Sequence, residues 1–467
     1  MPLMSRNTPP IFHKMSISIP EIIGVLILSL CIFRIIYFAP NKYSYCDPLG
    51  CLLTSQAILS FGTVNLDAYK EIITRYEFRY GYRIMTINGH LFYFYPIGSC
   101  IYAIPFVKLA NCTGRDISYM VGSIPVYDLK LQNLLSSLIG AGCFLLIYGI
   151  CRCLLKTVHS IILSLIFVLG SSIASTMGTA FWNFDFEVMF ILFSILLILY
   201  DAYDLYKLNA YLLSFLLFSA YFCRPTAAIF VGVVAIYIFF RSRKLFIELS
   251  VSLCVLFMGS ILFSLHLYDQ MLPPYYHYHL SLKSETLWIA FYGILLSPGR
   301  GLFIYSPYLI VTFFGVCFLG KRLFQSRLTW MAGGWFVLHI LAISKFQQWW
   351  GGSSFGPRLL TDVFPACMLL TIFVWNELTK TFFSGIRKVA IIAFLCLASI
   401  SVIIHTYQGL YNPATPLWNV SPNIDEYTEY LFDWRYPQFM ASTKLLKERE
   451  LYHQEKIRLK NLSTIEK

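Results

Sequence analysis

Along this chain, apolar runs recur at a length close to the roughly 20 residues that a helix needs to cross a bilayer. They fall near 19–38, 131–151, 158–178, 184–203, 209–222, 226–240, 246–266, 302–319, 328–344, 359–378 and 389–406. This pattern predicts an all-α integral membrane protein, a polytopic helical bundle of about eleven transmembrane helices. The first run follows Arg6 and Lys14 as a signal peptide would. It is too long for the apolar core of such a peptide and lacks a small-residue cleavage site, which predicts an uncleaved anchor. The 209–222 and 226–240 runs are short and are split by Arg224-Pro225, with Lys207 and Arg241, Arg243 and Lys244 at their far ends. Proline cannot continue the hydrogen-bond ladder, so a hairpin is expected there.

Leu91 to Ala110 is also apolar, but it contains Pro96, Gly98 and Pro105. Counting it as a span would invert every later loop, so it is expected to lie as a helix at the outer membrane surface. Residues 39–130 then form a long first outer loop, and a loop of that length in a compact protein is usually functional or disordered. Its aromatic and aliphatic content argues against disorder. Residues 444–467 read as a charged, solvated helix or frayed end. The expected organisation is a cytoplasmic N-terminus (1–18), a transmembrane unit (19–406) and an outer C-terminal segment (407–467).

Composition agrees with the pattern. The 467 residues are 57% hydrophobic and 13% charged, with 40 Phe and 32 Tyr. Soluble chains have about 25% charged residues, which excludes an ordinary cytosolic enzyme. The net charge of +12 would suggest nucleic acid in a soluble protein, but here the basic residues sort by side. Fourteen, among them Arg152, Lys156, Lys321, Arg322 and Lys388, fall in short segments that are inner if the N-terminus is inside, against five in short outer ones. This is the positive-inside bias. It predicts a multi-pass protein of the cell (inner) membrane, N-terminus cytoplasmic and C-terminus outside, with membrane lipids rather than nucleic acid as surroundings. Most of the 13 cysteines sit in apolar runs as small buried residues. Cys46, Cys51, Cys100 and Cys112 share one polar-flanked region, where an oxidising compartment would permit a disulfide.

Against this background the polar residues of the outer side stand out. Asp47 lies just beyond the first run, where a carboxylate can take a proton, bind a metal or cap the helix that follows. Asp185 and Glu187 open the fourth run, either complementing a helix dipole or facing a cavity, since acids within the bilayer are costly. Arg224 at the hairpin tip can clamp a phosphate or reach for the interface. Pro273 to His279 places two histidines two apart, a spacing better suited to an aromatic belt than to a metal. Ser297-Pro298-Gly299-Arg300-Gly301 follows. In Gln347 to Arg358, glycines allow close backbone approach, Trp350 offers a flat face for sugars or headgroups and Arg358 adds charge. Arg residues and carboxylates on one face suit an anionic lipid phosphate held beside a base. No phosphate-binding glycine loop, zinc spacing or internal repeat is present, so no cofactor is called for, and a divalent metal at Asp47 stays open.

Several strings carry a family resemblance: the Asp after the first span, Tyr95-Pro96-Ile97-Gly98 with Ala103-Ile104-Pro105-Phe106, Arg224-Pro225, Leu296 to Pro307, and Trp350-Gly351-Gly352-Ser353-Ser354-Phe355-Gly356-Pro357-Arg358. Over roughly residues 19–440 the chain resembles bacterial phospholipid-carrier-dependent glycosyltransferases of the GT-C superfamily, relatives of the protein O-mannosyltransferases and the lipid A aminoarabinose transferase. Two strings depart from that family. Asp47-Pro48 stands where relatives often have Asp-Glu, and Tyr95-Pro96-Ile97-Gly98 where they often have His-Pro-Pro-Gly. The resemblance implies a GT-C-like bundle of the cell envelope and a polyprenyl-phosphate-linked sugar as donor. It also implies a lipid, glycan or protein as acceptor, inversion at the anomeric carbon and Asp47 as general base. Asp185 or Glu187 would orient the acceptor or stand in for Asp47, while Tyr95, Arg224, Arg300, Trp350 and Arg358 would contact substrate. The rival expectation is a polytopic transporter or lipid flippase, which would place ionisable groups nearer the bilayer midplane and show duplicated halves.

Overall fold

With no water to satisfy backbone N–H and C=O groups, an apolar chain in a bilayer has to close its hydrogen bonds within each helix. A computed structural model describes residues 18–279, 286–380 and 385–465, with the side chains of residues 277–279, 460 and 462–465 left aside. All but Ser18 of the expected cytoplasmic N-terminus lies outside the described residues, as do Lys283 and the side chains of His277 and His279. The structure is 72% helical with nearly no sheet. It is that of an all-helical membrane protein.

Five helices are long and apolar enough to cross a membrane: Ile19–Tyr37, Val126–Arg152, Asn183–Ala202, Arg243–Tyr268 and Gly385–Tyr411. A sixth crossing is counted if Thr157–Leu169 and Ser172–Thr179, bent by 41°, form one span. Eleven full-length crossings are therefore not what the helices display. The remaining runs give shorter helices, and in two places a proline marks the break. Ala210–Cys223 has 14 residues and stops at Arg224-Pro225. At 1.5 Å per residue it reaches about 21 Å, short of a hydrocarbon core of about 30 Å. The run near 302–319 is cut by Ser306-Pro307 into Leu302–Tyr305 and Tyr308–Leu323.

Packing separates inner helices from lipid-facing ones. Two thirds (67%) of the apolar window of Val126–Arg152 is buried, and this helix lies against both Ile19–Tyr37 and Asn183–Ala202. In Arg243–Tyr268 only 11% is buried. Ile247, Val251, Val255, Met258 and Leu262 form an exposed stripe at helical spacing along it, while Leu249, Leu253 and Tyr268 turn inward. Such a face is stable against hydrocarbon and not against water.

The long segment after the first helix, residues 39–125, is folded. Cys51–Phe61 packs along Gly98–Cys112. Between them an antiparallel hairpin pairs Ile84 with Tyr93 and Ile87 with His90. Its Asn88-Gly89 turn has φ of 52° and 83°, the left-handed pair that a tight hairpin needs. Leu91 to Ala110 is consequently not one surface helix. It is the end of a strand, a Pro96 turn and then a helix whose Gly98, Ser99, Cys100, Ala103 and Val107 are buried. Of the two alternatives expected for residues 444–467, the structure has the helix, Thr443–Ile465, but it is not wholly solvated: Arg449 is buried and donates to the Trp418 carbonyl.

Gly98 is where this loop meets the bundle. A Cβ there would fall 2.6 Å from the Cys223 nitrogen and closer still to the Phe222 carbonyl. Because backbone cannot swing aside as a side chain does, G98A is expected to destabilise the protein by about 1–3 kcal/mol. Gly24, with nothing within 4 Å, is the control. G24A should be neutral or stabilising by up to about 1 kcal/mol. Thermal unfolding of the detergent-solubilised variants measures both.

Candidate functional site

Asp47 is positioned by the way the chain leaves the first helix. Lys42 Nζ donates to the Ile36 carbonyl (2.8 Å) and to that of Gly178 (3.0 Å), and burial pushes its ammonium down to about 8. Asn41 Nδ2 donates to the carbonyls of Gly409 (3.0 Å) and Asn412 (2.8 Å). Asp47 does not cap the next helix. The N-cap of Cys51–Phe61 is Gly50, at φ 107° and without a side-chain cap, so the carboxylate is left for other partners.

Those partners come from distant parts of the chain. Arg358 donates from Nη2 to Asp47 Oδ2 in an ion pair whose side chains are 14% and 19% exposed. Tyr82 donates its hydroxyl to Oδ1 at 3.1 Å, and Tyr95 donates to the same carboxylate. Tyr93 Oη donates to the Asp47 carbonyl at 2.6 Å, fixing the backbone as well. Burial acts to raise the Asp47 carboxyl, but Arg358, Tyr95 and Tyr82 outweigh it and hold the group below the ordinary carboxylate range. Burial and the Asp47 charge push the Tyr95 and Tyr82 phenols up, so both stay protonated donors.

Arg358 stands on the turn formed by Gly351, Gly352 and Gly356, which have φ of 72°, 67° and 58°. Gly356 passes so close to Tyr305 that a Cβ would sit 2.7 Å from its ring. Arg358 Nη1 donates to the Gly351 carbonyl (3.2 Å), and its guanidinium lies 4.0 Å over the Trp182 ring. Its Nε is buried and makes no hydrogen bond among the described residues.

A second cationic group lies beside the first. Arg224 Nε is 3.5 Å from Asp362 Oδ2. Asp362 also accepts from Thr226 (2.6 Å) and faces His339 Nε2 (3.1 Å). Glu187 lies within electrostatic range of both Arg224 and Asp362. Its side chain is fully buried, and neither carboxylate oxygen has a hydrogen-bond partner among the described residues. Tyr275 is in range of Asp47, Arg358, Arg224 and Glu187 alike. Four of the expected site residues therefore lie within electrostatic range of one side chain, Tyr275, and Tyr95 joins them through Asp47.

Three others do not join them. Asp185 precedes Glu187 by two residues, which turns it to another side of the helix, beside Cys143. Arg300 is 1% exposed and already uses all five of its donors. They go to the carbonyls of Trp350 (2.8 Å), Gly299 (2.8 Å) and Gly352 (2.9 Å), to Gln438 Oε1 (2.7 Å) and to Asn419 Oδ1 (2.9 Å). Burial lowers its guanidinium to about 10. Arg300 holds the turn that carries Arg358 against the C-terminal segment. Trp350 donates its indole N–H to Asp425 at 2.7 Å.

An aromatic groove enclosing about 30 Å³ lies next to this cluster. Tyr95, Phe222, Phe263, Tyr268, Met271 and Tyr276 are among its walls. It runs beside Arg243–Tyr268, the helix with the apolar outer stripe, and Tyr95 belongs both to the groove and to the Asp47 cluster. Among the described residues, no three His, Cys, Asp or Glu side chains gather where they would hold a metal ion. No protein-family model matches the chain and no curated protein matches it.

Tyr82, His339 and Asp362 were not expected at the site, and Tyr275 comes from the Pro273 to His279 string, which the sequence pattern assigns to an aromatic belt. Asp362 had a signal, an acid inside the apolar run 359–378, where unpaired charge is costly. Tyr82 had none among so many tyrosines.

The Asp47–Arg358 pair makes stability depend on pH. Because the folded carboxyl titrates below an unfolded aspartate at about 3.9, the pair's contribution is present above about pH 4 and is lost as pH falls through the folded value. Arg358→Met, which leaves Asp47 buried without its cation, is expected to cost roughly 3–5 kcal/mol at neutral pH. The gap to wild type should narrow below about pH 4, as read by unfolding in detergent across pH. An undiminished gap at about pH 3 would refute the ion pair as its origin.

Proposed function

We propose that the chain is an inverting membrane glycosyltransferase that moves a sugar from a polyprenyl-phosphate carrier to an acceptor hydroxyl on the outer face. One observation carries this reading. Asp47 and two guanidinium groups, Arg358 and Arg224, cluster about Tyr275, and Tyr95, hydrogen-bonded to the Asp47 carboxylate, also lines an apolar groove beside the helix Arg243–Tyr268. A lipid-borne anionic substrate needs those three things together: a path for its tail, cations for its phosphate and a base beside them. The eleven-crossing topology with a cytoplasmic N-terminus belongs to the same proposal.

The chemistry is a single displacement. The acceptor O–H gives its proton to the Asp47 carboxylate, and the acceptor oxygen bonds to the anomeric carbon. The bond from that carbon to the phosphate oxygen breaks with its electron pair on the phosphate. Attack opposite the leaving group inverts the anomeric centre. The departing phosphate gains negative charge, which Arg224 and Arg358 stabilise. As Arg358 turns toward the phosphate it releases Asp47, whose carboxyl then rises toward its ordinary value and holds the proton better. Glu187, with both oxygens unpartnered, is assigned to orienting the acceptor. Arg300 and Trp350 support the turn that carries Arg358.

Sugar transfer from a polyprenyl-phosphate-sugar in membranes tests this. Asp47→Asn keeps the shape but removes the base, and transfer should fall about 10²- to 10⁴-fold. Full activity in this variant would sink the assignment. Arg224→Gln should lower kcat about 10²- to 10³-fold by removing a charge that acts on the leaving group. A wild-type protein that moves the labelled lipid across the membrane without transferring its sugar would make it a flippase instead.

A further inference from the structure

We infer that Cys51 and Cys100 form a disulfide that ties the two arms of the first outer loop together beside Asp47 and Tyr95. The two Sγ atoms are 3.1 Å apart, inside the contact distance of unbonded sulfur atoms. Both residues are fully buried. They lie on helices that pack along one another, Cys51–Phe61 and Gly98–Cys112. Ser55 Oγ donates to the Cys100 carbonyl at 2.6 Å, fixing the register of the two helices at this point. Neither thiol takes part in the proposed transfer.

The position gives the bond a consequence for the site. Cys51 follows Asp47 by four residues, and Cys100 follows Tyr95 by five. The bond would join the two segments that bring the Asp47 carboxylate and the Tyr95 hydroxyl together, alongside the Tyr93 to Asp47 hydrogen bond of 2.6 Å. It closes a loop whose ends are 49 residues apart, and long loops gain most from a cross-link in the chain-entropy account.

The oxidation balances with a disulfide as the partner. The two thiols lose two protons and two electrons as the S–S bond forms, and the disulfide of a thiol–disulfide oxidoreductase or of oxidised glutathione is cleaved to two thiols. Exchange proceeds through a thiolate. Burial pushes the Cys51 thiol well up, so the bond forms while the loop is still open and is then sealed inside. The inference rests on the outer placement of residues 39–130, facing an oxidising compartment, and not on the transfer reaction.

The test uses the full-length wild-type protein in its own membrane. It is denatured without reductant in the presence of N-ethylmaleimide, digested and analysed by mass spectrometry. The expected result is a cross-linked peptide pair containing Cys51 and Cys100, lighter by two hydrogens than the reduced peptides. Reductant should release it after denaturation but not from the folded protein. Recovery of both cysteines as maleimide adducts would overturn the inference, as would a link from either one to the neighbouring Cys223 or to Cys46. The C51S/C100S double variant should melt several degrees lower than wild type. An unchanged melting temperature would overturn a stabilising role for the bond. Sugar transfer by a protein with both thiols alkylated leaves the proposed function standing without the bond, and a bonded pair in a protein inert toward every polyprenyl-phosphate-sugar does the reverse.

Discussion

The ion pair between Asp47 and Arg358 is the constraint around which two distant segments of the chain are arranged. Two charges largely removed from water cost several kcal/mol each unless their geometry and remaining hydrogen bonds are supplied. Each partner belongs to a segment with little regular structure of its own, and both segments are tied down by groups that carry no other role. Lys42 and Asn41 fasten the chain before Asp47 to the ends of other helices. Arg300 does the same for the turn before Arg358, with five hydrogen bonds that join it to Asn419 and Gln438 of the C-terminal segment. Residues 311 positions apart in sequence thereby meet in one ion pair.

The same constraint accounts for the short helices. Ala210–Cys223 ends at Arg224, and Phe364–Thr379 begins two residues after Asp362. Inside an apolar protein, irregular backbone is tolerated only where it is buried in protein or lines a cavity. Here the breaks coincide with the charges. Terminating a helix early places a side chain on a turn instead of on a lipid-facing cylinder, and several such terminations bring Arg224, Asp362 and Glu187 within range of one another. Full-length helices such as Arg243–Tyr268 carry little of this chemistry and present their apolar side outward.

Much of this was legible in the sequence, and the part that was not has a physical reason. Helical runs follow from the solvent, so their existence could be read directly, as could the break at Arg224-Pro225; the cut at Ser306-Pro307 inside the 302–319 run was not expected. Asp47, Glu187, Arg224 and Arg358 stood out as rare charges beside apolar runs, and all four lie within electrostatic range of Tyr275. Arg300 stood out equally, yet the residue type says nothing of whether its donors are already taken. Asp185 and Glu187 looked alike until the helix turned them to different sides. Leu91 to Ala110 misled because its apolar content came from a strand as well as from a helix.

The two arginines differ in a way that bears on the proposed reaction. Arg358 is bound directly to the carboxylate assigned as base and has a free Nε, so an arriving phosphate competes with Asp47 for it. Arg224 meets Asp362 at 3.5 Å, and Asp362 is held in turn by Thr226 and His339. That carboxylate keeps Arg224 oriented while its own oxygens are shared among three partners. A site with two equally committed arginines would resist the phosphate, and one with two uncompensated arginines would be unstable before it arrived. In the proposed reaction Arg358 passes between Asp47 and the phosphate, which would link the departure of the phosphate to the proton affinity of Asp47.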